Sequence, residues 1–194
     1  MYSGYGNYYG FGETKPVRRT VFISHYKGDH DEVERFISDF KSVFIPKVLG
    51  ANDNDNFIES TNTDYVMNQI RERYLLDSTV TIVLVGKCTH SRRYVDWEIK
   101  SSLRQGSYTP NGLLGILLPS AGDRAHLPPR FQDNWQTGEQ NCYARYRYYP
   151  STAEQLRGWI EDAYQARTSR ANLIVNSQDM MKYNAKCKVC GITH

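Results

Sequence analysis

Apolar residues in this chain fall into short unbroken runs, separated by stretches in which they recur every three or four positions. Val21-Phe22-Ile23-Ser24 is the first such run and predicts a buried parallel strand. Asp29, followed three positions later by Glu32, has the spacing of a capping box. Val33, Phe36, Ile37, Phe40, Val43 and Phe44 then predict a helix with one buried face, ended by Pro46 and Gly50. Residues 50–56 are polar and turn-forming, so any strand near Phe57-Ile58 is short. Val66, Met67, Ile70 and Tyr74 mark a second helix. Residues 80–85, β-branched and ending at Gly86, form the most strand-like segment and belong at the sheet centre. A third helix over 92–104 leads to a buried strand over 113–118, stopped by Pro119. The connection over 119–141 is long enough to suggest function. Residues 143–149 alternate as an edge strand does, and Ser151 with Glu154 caps a last helix whose stripe is Leu156, Trp159, Ile160, Ala163 and Tyr164.

Strands alternating with helices predict an α/β fold: a flavodoxin-like, three-layer, open and mostly parallel sheet with helices on both faces. Such sheets bind ligands beyond the carboxyl ends of their strands, here after Ser24, Val85 and Leu118. The domain is expected over 17–170, with a flexible Gly/Tyr-rich tail over 1–16 and a C-terminal tail carrying a CxxC over 171–194.

Composition narrows the function classes. The chain has 194 residues, 40% of them hydrophobic, which suffices for one real core. A formal charge of +3, with no concentrated basic stripe, makes no case for nucleic acid. The first residues lack the basic start and apolar run of a signal peptide, and no stretch reaches the ~20 apolar residues that span a bilayer. Cys88, Cys142, Cys187 and Cys190 show no framework spacing, so free thiols in a cytoplasmic, reducing setting are expected.

Several chemistries lack their residues. No GxGxxG follows a strand and no GxxxxGK[ST] occurs, which removes dinucleotide-fold and phosphate-loop readings. The strand ends carry no acidic set for a phospho-receiver. Ser24 and His25 are adjacent and point apart, and no GxSxG elbow exists. Cys187-Lys188-Val189-Cys190 with His194 resembles half a zinc site that lacks a fourth ligand. An exposed tail with two thiols is the preferred reading and no metal is assigned, while metal shared between two copies stays open. The Tyr/Arg alternation over 143–149 could stack bases, but a charged edge strand explains it as well and is preferred.

The segment 78–86, followed by Ser91-Arg92-Arg93-Tyr94-Val95-Asp96-Trp97-Glu98-Ile99, resembles the TIR superfamily when joined to the opening Val21-Phe22-Ile23-Ser24-His25. More narrowly it resembles the TIR-like proteins of the Thoeris anti-phage systems, the ThsB group, over about residues 20–120. In that family an aromatic residue precedes the catalytic glutamate by four positions, as Tyr94 precedes Glu98; many TIR domains carry Trp at the aromatic position. The resemblance implies cleavage of the nicotinamide–ribose bond of NAD, with Glu98 catalytic, and a cyclic ADP-ribose-type product that activates an effector. NAD is then the substrate and no cofactor is required. It also implies self-association on activation and an effector reached through a diffusible nucleotide, with no membrane. The alternative is a non-catalytic TIR-like adaptor acting by self-assembly and contact. Substrate-touching residues in 46–60 are not assigned.

Helix geometry adds a placement. Val95, Ile99 and Leu103 form a seam, from which Glu98 lies roughly 60° away, at a pocket's rim. Trp97 falls on the far side, exposed and available to a second copy. Ser24, His25, Tyr26, Lys27 and Tyr94 are the candidate substrate-binding residues. His25-Tyr26-Lys27-Gly28 ends at a helix N-terminus, where amides and Lys27 meet phosphate, and Tyr26 or Tyr94 can stack on a ring.

Overall fold

A computed structural model describes residues 17–48, 60, 62–106 and 108–194. The expected tail over 1–16 and any strand at Phe57-Ile58 lie outside the described residues. Five strands, β1 (Arg19–Ser24), β2 (Phe44–Val48), β3 (Val80–Val85), β4 (Gly112–Leu117) and β5 (Arg145–Arg147), pair in parallel in the order β2-β1-β3-β4-β5. This is the flavodoxin-like order, with its switch point between β1 and β3.

The helices are α1 (His30–Phe40), α2 (Thr63–Ile70), α3 (Arg93–Ser102), α4 (Pro129–Asp133) and α5 (Ala153–Ser169). A π-type turn over Arg71–Leu75 extends α2. Strand alternation sorts them into layers. Val21, Ile23, Ile82, Leu84, Leu114 and Ile116 pack against α1 and α5. Val83, Val85 and Leu113 face α3 and α4, and Phe22 packs with α2 and Trp97. Every residue of β3 and β4 is buried, which is why both read as continuous apolar runs. A Cβ at Gly112 would stand 1.9 Å from the Ala163 carbonyl oxygen, so the close approach of α5 to β4 requires glycine there.

Three local expectations are corrected. The first helix stops at Phe40, and Phe44–Val48, assigned by periodicity to its end, is the missing second strand. Pro46 sits opposite Val21, and as part of an edge strand it costs the sheet no central hydrogen bond. Asp29 makes no capping bond; its carboxylate accepts from Thr89 Oγ1 at 3.4 Å, while Glu32 accepts from the Ser120 amide and hydroxyl. The cap of α5 lies one residue later than expected. Thr152 Oγ1 accepts from the Gln155 amide at 3.2 Å, and the Gln155 side chain returns to the Ser151 amide at 2.9 Å.

β5 is the edge strand that its alternation predicts. Arg145 is held by Glu139 and Asp162, and Arg147 by Glu139 at 2.6 Å, so these guanidinium groups are not displayed for stacking bases.

Residues 171–194 were expected as a tail, yet they run along the outer side of α3. The buried Asp96–Arg130 pair, with contacts of 2.8 and 3.3 Å, anchors them. Arg130 also donates to the Asp179 and Gln178 carbonyls, and the Met181 amide donates to Asp96 at 2.9 Å. Trp97 Nε1 donates to the Met181 carbonyl at 2.8 Å. Trp97 is therefore only 5% exposed, contrary to the expectation of a free surface for a second copy. A helix covered on both sides buries more than one stripe. Among the described residues, no helix is long and apolar enough to cross a membrane.

Candidate active site

β1 ends at Ser24, beside the switch point, and α3 packs across β1, β3 and β4. The offset of Glu98 from its helix seam turns the side chain onto the end of β1, where Ser24 Oγ donates to Glu98 Oε2 at 2.5 Å. Glu98 is 4% exposed and Ser24 fully buried. The rim position expected for Glu98 is thus corrected to an enclosed one, because the strand end fills the side that geometry alone left open. Burial pushes the Glu98 carboxyl up to about 8, the Ser24 hydroxyl opposing.

Asp96, two residues away on the same helix and equally buried, shows what a structural carboxylate looks like here: it is paired with a guanidinium. Burial and a single hydroxyl account for the Glu98 shift, with no cation among the described residues contributing. A buried acid without a counter-ion costs stability, which makes it a candidate for function on physical grounds.

The other candidates lie at the same end of the sheet. His25 is half-buried, and desolvation lowers its pKa, leaving a neutral imidazole near pH 7. The Arg92 guanidinium lies 4.0 Å from the centre of the Tyr26 ring, and Tyr26 Oη is 3.2 Å from His194 Nδ1. Lys27 is exposed in a 3-10 turn over Lys27–Asp29 that enters α1. Tyr94 packs edge-on to Trp97, with ring centroids 5.1 Å apart, and accepts from Arg93 Nη2 at 3.1 Å. Ser24 is in direct contact with Glu98; His25, Tyr26 and Lys27 form the adjoining loop.

Two residues there escaped sequence reasoning. Burial, with Glu32 nearby, pushes the Asp29 carboxyl up to about 6 against the Thr89 hydrogen bond, and a Cβ on Gly86 would meet Asp29 Oδ2 at 2.0 Å. Its capping-box spacing had masked it. Arg92 donates from Nε to the Cys88 carbonyl at 3.2 Å, while its buried Nη2 has no hydrogen-bond partner among the described residues. The topological rule had marked the segments after Ser24 and Val85 without singling out either side chain. A surface groove lined by Asp64, Met67, Lys100, Arg104 and Asn176 lies toward the C-terminal end of α3 and does not include Glu98.

A parallel sheet in flavodoxin order, with an acid from α3 meeting the end of β1, defines a TIR-like α/β domain. The family model described as Thoeris protein ThsB, TIR-like domain, matches residues 22–123, and the chain belongs to that family, one of anti-phage defence. The match includes Ser24, Asp29, Arg92 and Glu98. No curated protein matches the chain.

Proposed function

We propose that this protein cleaves the nicotinamide–ribose bond of NAD through Glu98, and that the product is a cyclic ADP-ribose-type signal activating an effector in anti-phage defence. The observation that carries the reading is the buried Glu98 carboxyl with Ser24 as partner and no counter-ion among the described residues. The nicotinamide ring nitrogen is cationic in NAD, so the departing base takes the bond's electron pair and leaves neutral, without a general acid. Positive charge then develops on the ribose. A carboxylate already desolvated and held by Ser24 stabilises that charge more strongly in a dry site than in water. The cationic substrate supplies the charge that Glu98 lacks, and its arrival favours the ionised form. Glycosidases need a second carboxyl to protonate a poor leaving group; this reaction does not.

Around that centre, Lys27 and the unpartnered Nη2 of Arg92 offer donors to the pyrophosphate. Tyr26 and Tyr94 present rings to a base. Attack by an adenine nitrogen closes a cyclic product, and attack by water gives linear ADP-ribose. Self-association, which the family resemblance suggests, accompanies activation and completes the site, and the effector is reached through the diffusible nucleotide.

The 4% exposure of Glu98 favours a second reading, a non-catalytic adaptor that signals by contact. Nicotinamide release separates the two. Concentrated wild type with NAD is expected to release nicotinamide, and Glu98→Gln to slow release about 100- to 1,000-fold. A folded wild type that self-associates yet neither binds nor consumes NAD establishes the adaptor instead.

A further inference from the structure

We propose that Cys88, Cys187 and Cys190, together with His194, form a tetrahedral zinc site that staples the C-terminal segment to the turn after β3. The missing ligand of the CxxC half-site comes from the same chain, 99 residues before Cys187. Cys88 lies directly before a 3-10 turn over Thr89–Ser91, at the carboxyl edge of the sheet. The three sulfurs lie within 4.8 Å of one another, Cys88 being 2.8 Å from Cys187 and 3.4 Å from Cys190. Both separations from Cys88 are shorter than the edge of about 3.8 Å that a tetrahedron with Zn–S bonds of about 2.3 Å requires, so the sulfurs spread slightly to take the ion. His194 Nε2 stands 3.2 Å from Cys190 Sγ but outside the 4.8 Å cluster of the three sulfurs, so a small shift of the chain end brings it in as the fourth donor of a Cys₃His set.

The surroundings are built as a metal-binding turn. The Gly191 amide donates to the Cys187 carbonyl, and the Cys187 amide to the Ile192 carbonyl, each at 2.9 Å. Gly191 has φ +74°, a conformation that folds the chain back after the second cysteine of the pair and that glycine adopts without strain. His90 Nε2 accepts from the Lys188 amide at 3.0 Å, which fixes the CxxC loop against the turn that carries Cys88 and uses that imidazole nitrogen up. The other nitrogen of His194 faces Tyr26 Oη at 3.2 Å. A proton on Nδ1, donated to that hydroxyl, leaves Nε2 as the metal ligand, the usual way a second partner sets the tautomer of a ligating histidine. The Ala185 amide on the Ser91 carbonyl and Asn184 Nδ2 on the His194 carbonyl hold the segment in register. Lys87, Lys186 and Lys188, neighbours in sequence, suit a cluster of thiolates whose charge exceeds that of the ion.

Cys187 is 1% exposed, so the exposed-tail reading of the two thiols does not hold for Cys187, although Cys190 is exposed, and the donors proposed here all come from one chain. The fourth cysteine, Cys142, lies elsewhere, with its Sγ on the Ala144 carbonyl, and serves as a control. This site stands independently of the reading of Glu98.

The test is elemental analysis of the full chain, purified under reducing conditions without chelator, together with the absorption spectrum of its cobalt-substituted form. About one zinc per chain is expected, with cobalt bands of a tetrahedral, sulfur-rich site. Cys88→Ser is expected to weaken zinc binding by more than about 100-fold, His194→Ala by about 10- to 100-fold, and Cys142→Ser not at all. Because Cys88→Ser can itself weaken folding, the cobalt spectrum of the unaltered chain stands as a separate criterion. Zinc-supplemented wild type that binds no metal, a Cys88→Ser variant as metal-replete as Cys142→Ser, or a native Cys88–Cys187 disulfide in place of the ion would each overturn the proposal.

Discussion

Asp96 and Glu98 share one helix and one degree of burial, and among the described residues they differ in having or lacking a cation. Their pH behaviour should differ accordingly. The folded-state pKa of Glu98 is raised from 4.5 to about 8, so the native state holds a proton that the unfolded chain has lost over that interval. The stability that goes with the protonated form is fully present below the unfolded value and is lost as pH rises through about 8. Asp29 contributes in the same sense at lower pH, its carboxyl being raised from 3.8 to about 6. Glu98→Gln is expected to remove the Glu98 part alone. In denaturant unfolding the variant should gain on wild type between pH 5 and 8 by up to a few kcal/mol, on the order of 1.4 per pKa unit. A difference that does not change with pH would mean the carboxyl is not buried as a lone acid. The same variant should lose nicotinamide release, so stability and activity move in opposite directions at one side chain.

The element that holds this arrangement together is α3, gripped between the sheet and residues 171–194. Asp96→Ala leaves the buried Arg130 without its counter-charge and is expected to destabilise the fold by about 3–5 kcal/mol. Release of the Met181 carbonyl from Trp97 should follow, visible as a red shift of tryptophan emission; unchanged emission and stability would show that the pair anchors nothing. The sequence made β1, β3, β4 and α3 legible because buried parallel strands read as unbroken apolar runs and the helix keeps its four-residue seam. β2 was illegible for a local reason. Phe44–Val48 is a short edge strand containing Pro46, and its first residue falls in phase with the preceding helix. The cover over α3 carries no period at all, since it is held by main-chain bonds to Asp96, Trp97 and Arg130. For the same reason Cys88 could not be joined to the distant CxxC. Within the candidate site, Glu98 was reachable through the family resemblance and Ser24 through the strand-end rule as well. The enclosure of Glu98 and the lone donor of Arg92 depend on packing across the fold.

Taken whole, the domain holds its acid away from water at a strand switch point, with two loops and the C-terminal segment gathered at the same end. Binding to the folded form alone stabilises a protein by mass action, so a non-cleavable NAD analogue at about 100 times its dissociation constant should add about 2.7 kcal/mol. A melting temperature insensitive to the analogue would count against a nucleotide site in the fold. In the proposed reaction the ionised form of an enclosed Glu98 carries NAD cleavage. The most direct test is the pH dependence of kcat/KM for nicotinamide release, which reports the pKa of the essential group in the free enzyme. The expected rate climbs about tenfold per pH unit from pH 6 and levels off near 8, where Glu98 ionises. A profile already flat across that range, or one that Glu98→Gln leaves in place, would contradict it.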